Sequence, residues 1–222
     1  MLAARGARET QGFRALIEEA ARAGTPMEQV EAREIDRLGL TDHQGVAAIV
    51  EPARELDDRA VASMAYPPGA IAVALDGVTD PQNLGACARS AEAAGAAVLI
   101  IRRKRAAPLT ASAVRASAGA LLHLPMARVT NLARTLEQLK DLGFTVVGLD
   151  HRAPQSILGE PPPERPLVLV VGSEGAGLSR LVSETCDRLV SIPMPGRTGS
   201  LNASAALAVA LFGYVLRPSG QD

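Results

Sequence analysis

From Ala70 onward the chain alternates short apolar runs with helical stretches, and this alternation limits its fold more than any other feature. Ile71–Leu75, Val98–Ile101, Val146–Leu149 and Leu167–Val171 are apolar throughout, with no polar residue at alternate positions. A strand with one wet face would alternate, whereas a strand covered on both faces does not. Leu121–Met126 and Arg188–Ile192 are weaker strand candidates. Helical stretches fall near 83–94, 110–118, 130–142, 178–185 and 202–216. Strands alternating with helices predict an α/β domain: a parallel sheet with helices on both faces. Ligands of such sheets bind beyond the C-terminal ends of the strands. Asp76-Gly77, Gly172-Ser173 and Pro193-Met194 are expected at those ends.

The residues before Ala70 read differently. Gln11–Ala23 is an amphipathic pattern closed by Gly24, and Val46–Val50 is a short β-branched run. They suggest a small α/β module over residues 1–50. Its opening strand and helix are hard to find in Met1–Gly12, so it reads as truncated or degenerate. Residues 51–69 contain Pro52, Asp57-Asp58 and Pro67-Pro68-Gly69 and are expected to form a linker, in which 55–65 can be helical. The main domain is assigned to 70–217.

At 222 residues, 47% of them hydrophobic, there is material for one ordinary core and a smaller one. Cys87 and Cys186 make neither a disulfide framework nor a ligand pair, and His43, His123 and His151 are scattered. No apolar run approaches a membrane span, and Met1–Glu19 lacks a signal-peptide pattern. A reduced, cytoplasmic protein without metal is expected. Net charge is −1, but residues 1–58 hold seven basic and twelve acidic residues, against sixteen and twelve in 59–222. An acidic front and a basic remainder suit a polyanion bound mainly by the C-terminal part, or are ordinary solvated charge.

Three segments place polar residues beside glycine or proline at the edge of an apolar run. In Asp80–Arg89, Asn83 is the expected N-cap of a helix closed by Gly95, and Arg89 lies six residues on, ~240° around a helix. Arg89 either pairs with Glu92 or offers a bidentate guanidinium to phosphate. In Gly172-Ser-Glu-Gly-Ala-Gly177 the glycines allow backbone amides to approach a ligand. Leu178-Ser179 follows where a P-loop needs Lys, and Arg180 stands where a dinucleotide fingerprint needs glycine. The Glu174 carboxylate would repel a triphosphate and suits hydroxyl, amine or sulfonium groups. A tight turn with a solvated Glu174 is the plainer alternative. In the third segment, Ser191-Ile-Pro-Met-Pro forms a stiff wall. Ser200 or Asn202 then caps an Ala/Leu-rich helix, with Ile192 and Leu201 offering apolar surface to a flat ring.

In this order the segments resemble the signature motifs of the SpoU family of RNA ribose 2′-O-methyltransferases, within the SPOUT superfamily. The matching pattern is N-x-x-x-x-x-R, then G-S-E-G-x-G-L, then I-P-M-x-G-x-x-x-S-L-N-x-S, over about Ala70–Leu216. The resemblance implies a C-terminal trefoil knot, S-adenosylmethionine bound at that knot, and a homodimer. It also implies roles. Arg89 contacts the target phosphate and assists removal of the 2′-hydroxyl proton, although a guanidinium is a poor base. Asn83 orients Arg89. Glu174, Ser200 and Asn202 are the remaining polar active-site positions, and Gly172, Ile192 and Leu201 line the cofactor pocket. The front module resembles the substrate-binding domain attached to many members. His43-Gln-Gly-Val-Ala47 is especially like the branch that methylates a guanosine of 23S rRNA, with His43 as a mere turn residue the rival reading.

The basic run Arg102–Arg105, with Arg115 possibly beside it, is either a soluble loop or part of an RNA-phosphate track. The expected activity is therefore S-adenosylmethionine-dependent 2′-O-methylation of RNA, at 23S rRNA or at a tRNA or antibiotic-resistance rRNA site. A non-catalytic RNA-binding assembly factor is the rival from another class.

Overall fold

The computed structural model describes residues 1–40, 43–50, 55–159, 161 and 163–216. The chain divides into two compact units after Pro52.

The first unit comprises β1 (Leu2–Ala4), α1 (Gln11–Arg22), β2 (Glu28–Val30), α2 (Ala32–Asp36) and β3 (Val46–Ala47). β1 is the central strand, parallel to β2 and antiparallel to β3. The opening strand that the residue pattern does not reveal is therefore present. It is three residues long and two of them are alanine, a weak β-former, so no pattern marks it. Thr10 caps α1 by accepting from the Phe13 amide at 3.2 Å, and Gly24, at φ +66°, turns the chain out of the helix. Of the run 46–50, only Val46–Ala47 pairs as strand. Ala4, Val30, Ile35 and Ala47 make a small core.

The second unit contains β4 (Glu55–Leu56), α3 (Asp58–Ser63), β5 (Ile71–Asp76), α4 (Pro81–Ala93), β6 (Val98–Arg102), α5 (Ala111–Ala116), β7 (Met126–Val129), α6 (Leu132–Asp141), β8 (Thr145–Leu149), β9 (Leu167–Gly172), α7 (Arg180–Thr185), β10 (Arg188–Val190) and α8 (Ala203–Ala210), which ends in a π-type turn over Leu211–Val215. Its seven strands are all parallel, in the order β10-β8-β9-β5-β6-β7-β4. Every residue of β5 and β9 is buried. Ile71, Val73 and Leu75 face a core shared with α4, α5 and α8, while Ala72 and Ala74 face one shared with α3, α6 and α7. The two-residue strand period thus feeds both faces, which is why the runs lack polar alternation.

Three local expectations are corrected. The segment 51–69, of which 51–54 lie outside the described residues, is not simply a linker from residue 55 onward. β4 pairs with β7 at the sheet edge, and Asp58 accepts from the Thr130 amide at 3.0 Å. Two-residue β4 is too short to show as an apolar run. Leu121–Met126 is not one strand: Ala120–Leu122 form a 3-10 turn, entered through Gly119 at φ +88°, and the strand begins at Met126. Asn83 is not the cap of α4. Asp80 is, accepting from the Asn83 amide at 3.0 Å, with Pro81 in the first turn where a missing N–H costs nothing.

β5 and β9 are neighbours, and Asp76 pairs in register with Gly172. The turn leading to α4 and the glycine loop after β9 therefore leave the same point of the sheet. α4 lies against α5 through Gly85. A methyl group there would fall on the Ala113 carbonyl and 2.6 Å from Ala116 Cβ.

Candidate active site

A cleft opens at the C-terminal ends of β8, β9 and β10, closed on the remaining side by the start of α8. Gly172, Glu174, Ile192, Ser200 and Leu201, all singled out from the residue pattern, line it. Gly172 ends β9 where the loop doubles back. Ser173 and Gly177 exchange backbone hydrogen bonds of 3.2 and 2.9 Å, and a side chain at 172 would occupy the Gly177 carbonyl. Gly175 and Gly177 sit at φ +82° and +67°, which only glycine adopts without strain. This tight loop places Glu174 at the cleft.

Asn83 and Asn202 join the site through hydrogen bonds. Asn202 caps α8: its Oδ1 accepts from the Ser204 amide at 2.9 Å and from the Ser204 hydroxyl at 2.7 Å. With that oxygen engaged, Nδ2 faces the other way. It donates to Asn83 Oδ1 at 2.9 Å and, at a longer 3.4 Å, to Glu174 Oε2. Residues 119 and 28 positions apart in sequence are thereby tied together. Asn83 Nδ2 and the Ser200 hydroxyl make no hydrogen bond with the described residues and remain available to a ligand.

Arg89 is exposed on α4, six residues beyond Asn83, and forms neither the Glu92 pair nor any other ion pair among the described residues. It stands outside the Asn83–Asn202–Glu174 group, so the structure does not bring its guanidinium back onto Asn83.

Two features escaped the residue pattern. Asp150 and His151 line the cleft from the end of β8. Arg152 holds Asp150 with side-chain bonds of 3.0 and 2.8 Å and a backbone bond of 2.9 Å. Those bonds keep the Asp150 carboxyl below its ordinary range, against the desolvation that would raise it. The Asp-x-Arg spacing was the available signal. Asp76 is the other. It is buried, accepts from the Ser179 amide at 2.6 Å, and has Arg102 Nε 3.0 Å from its Oδ1. The Arg102 contact is ionic rather than a directed hydrogen bond, because Oδ1 has no aligned donor. Arg102 also donates to Ser179 Oγ at 3.3 Å. Arg102 is thus a structural clamp between β5, β6 and the start of α7, a role outside both readings of the Arg102–Arg105 run. Arg103, Lys104 and Arg105 remain exposed.

The walls suit a ligand with a flat apolar part and a cationic or hydroxylated part. Ile192, Leu201 and Leu149 supply apolar surface, and Asp150 and Glu174 supply carboxylates. Among the described residues no cluster of side chains could hold a metal ion, and no helix is long and apolar enough to cross a membrane.

Residues 70–212 match the model of the SpoU rRNA methylase family, and residues 1–56 match that of the RNA 2′-O ribose methyltransferase substrate-binding domain. An uncharacterized tRNA/rRNA methyltransferase of Mycobacterium ulcerans is 46% identical over 88% of this chain and 63% of its own length. The 23S rRNA (guanosine-2′-O-)-methyltransferase RlmB of Photobacterium profundum is 44% identical over 80% of this chain and 72% of its own. The chain thus spans less than two thirds of the mycobacterial relative. Among solved structures, the SpoU methyltransferase AviRb of Streptomyces viridochromogenes, in complex with the cofactor AdoMet, superposes with a TM-score of 0.75. It is 29% identical, over 96% of this chain and 80% of that one. An AdoMet-bound rRNA methyltransferase of Sinorhizobium meliloti gives 0.71 at 25% identity, over 95% and 77%.

Proposed function

The chain belongs to the SpoU rRNA methylase family, whose cofactor is S-adenosylmethionine, and from that premise we propose that it methylates a ribose 2′-hydroxyl of RNA, at a guanosine of 23S rRNA. The hydrogen-bonded Asn83–Asn202–Glu174 group at the edge of the cleft carries this reading. The 44% identity to RlmB supports the 23S guanosine target.

S-adenosylmethionine, when bound, supplies an electrophilic methyl on sulfur. Ile192 and Leu201 would pack against its adenine ring, and the Gly172–Gly177 loop would offer it backbone polar groups. Asn83 Nδ2 and the Ser200 hydroxyl would orient the nucleotide and its 2′-oxygen toward the cleft. Most of the rate follows from that alignment. Arg89 would bind the neighbouring phosphate and stabilise the negative charge that develops on the 2′-oxygen as its proton passes to solvent. We assign the chain after β10 to a trefoil knot threaded past the 150–157 loop. The backbone bonds of 2.8 and 3.0 Å that tie Ser191 to Gln155 and Ile157 support this. The acting form is a homodimer.

Two measurements test the reading: calorimetry with S-adenosylmethionine, and methyl incorporation into 23S rRNA with mapping of the modified ribose. Arg89→Ala is expected to abolish incorporation and leave cofactor affinity unchanged. Full activity in that variant removes Arg89 from the mechanism. Cofactor binding with no incorporation into any RNA would favour an assembly factor instead.

A further inference from the structure

We propose that a cavity in the first unit receives one unpaired nucleotide of RNA, with Gln44 reading the base edge, Phe13 stacking on the ring and Arg8 holding the phosphate. This deepens the reading of the chain as an RNA methyltransferase and rests on it. The cavity, of about 790 Å³, lies between the β1–α1 turn, the start of α1 and the turn before β3. That volume falls within the roughly 300–1,000 Å³ of sites for small organic ligands. Arg5, Arg8, Phe13, Leu16, His43 and Gln44 supply its functional lining.

The first 58 residues are acidic overall, yet among the described residues that line this cavity there is no Asp or Glu and there are two arginines. Arg5 is partly committed, lying 3.6 Å from Glu31. Arg8 is exposed and forms no ion pair with the described residues. A cationic cavity in an acidic module favours an anion over a neutral metabolite.

Phe13 is the one benzyl, phenol or indole ring in the first 52 residues, and it is outside that unit's core. It stays half-exposed in the cavity, with Leu16 three positions on along α1 and 45% exposed. Residues so spaced share a helix face. A ring left beside an arginine suits a stacked base, the usual partner of such surfaces in single-stranded RNA recognition.

Gln44 adopts φ +48°, a conformation that costs a non-glycine residue on the order of 1 kcal/mol or more. Its neighbours enforce it. His43 Nδ1 accepts from the Gly45 amide at 3.0 Å, and Nε2 meets Asp36 Oδ1 at 2.9 Å. This pattern leaves the ring proton on Nε2. Gly45, at φ +83°, has no room for a side chain, since a Cβ would lie 2.6 Å from Ala7 Cβ. His43 is thus the turn residue, and the device it builds presents the Gln44 side chain to solvent. A primary amide carries both a donor and an acceptor, as a base edge requires.

The test uses the whole protein and fluorescence-labelled homopolymeric A, C, G and U oligoribonucleotides, titrated without cofactor at several salt concentrations. The wild type is expected to prefer one homopolymer. Gln44→Gly, which suits the positive φ and keeps the fold, should lose that preference and bind the favoured oligonucleotide about tenfold more weakly. Arg8→Ala should weaken binding to all four and reduce the salt slope by about 0.7. A wild type without preference, a preference retained by Gln44→Gly, or an unchanged slope in Arg8→Ala each overturns the proposal. Methyl incorporation is scored separately. An inactive wild type refutes the methyl-transfer reading, whatever the oligonucleotides show.

Discussion

Asn202 performs two tasks with the two ends of one amide. Its oxygen caps α8 and its nitrogen ties Asn83 to Glu174. Aspartate would preserve the cap but place a carboxylate against Asn83 Oδ1 and the Glu174 carboxylate. Asn202→Asp should therefore fold with nearly wild-type stability in denaturant titration and lose methyl transfer, whereas Asn202→Ala should also lose about 1 kcal/mol of stability. Equal activity in Asn202→Asp would detach the link from function. Asp150 makes a second residue-scale prediction. Arg152 lowers its folded pKa, so the contribution to stability is complete above the unfolded value of about 3.9 and fades as pH falls through the lower folded value. Thermal melting of wild type and Arg152→Ala should differ at pH 7, begin to approach as pH falls below about 3.9, and converge only below the lowered folded pKa. A gap that persists in acid would assign Arg152 a role other than this pairing.

At the scale of elements, the end of β6 separates two kinds of basic residue. Arg102 points back to buried Asp76, while Arg103, Lys104 and Arg105 project beyond the strand. Arg102→Ala leaves a buried carboxylate without its counter-ion and should destabilise the protein by on the order of 3 kcal/mol. Combined Arg103→Ala, Lys104→Ala and Arg105→Ala should leave the denaturation midpoint unchanged and flatten the salt dependence of RNA binding. The same salt slope in both proteins would reduce the loop to a solubility device. A run of four basic residues looks uniform in sequence. Whether each reaches solvent depends on which side of the strand end it occupies and on a partner 26 positions earlier, and neither can be read from the run itself.

For the whole molecule, the cleft belongs to the folded second unit, since it needs β8, β9, β10 and α8 together. S-adenosylmethionine at about one hundred times its Kd should raise the unfolding free energy of that unit by about 2.7 kcal/mol, read as a calorimetric shift. No shift at saturating ligand would argue against this cleft as the cofactor site.

The parallel sheet was legible because strands buried on both faces must be apolar at every position, a rule that acts within five or six residues. The glycine loop after β9 and the turn before α4 were legible for the same reason, since positive φ and helix capping are local demands. Short-range chemistry nevertheless pointed to Asn83 rather than Asp80 as the cap of α4, and it hid the two- and three-residue strands β4 and β1. Tertiary structure alone decided that β5 lies beside β9, that Asn202 reaches Asn83 across 119 positions, and that Arg102 closes on Asp76. Local periodicity carries no information about strand order. That order follows from which long loops can close with both faces covered, a property of the packed chain rather than of any segment within it.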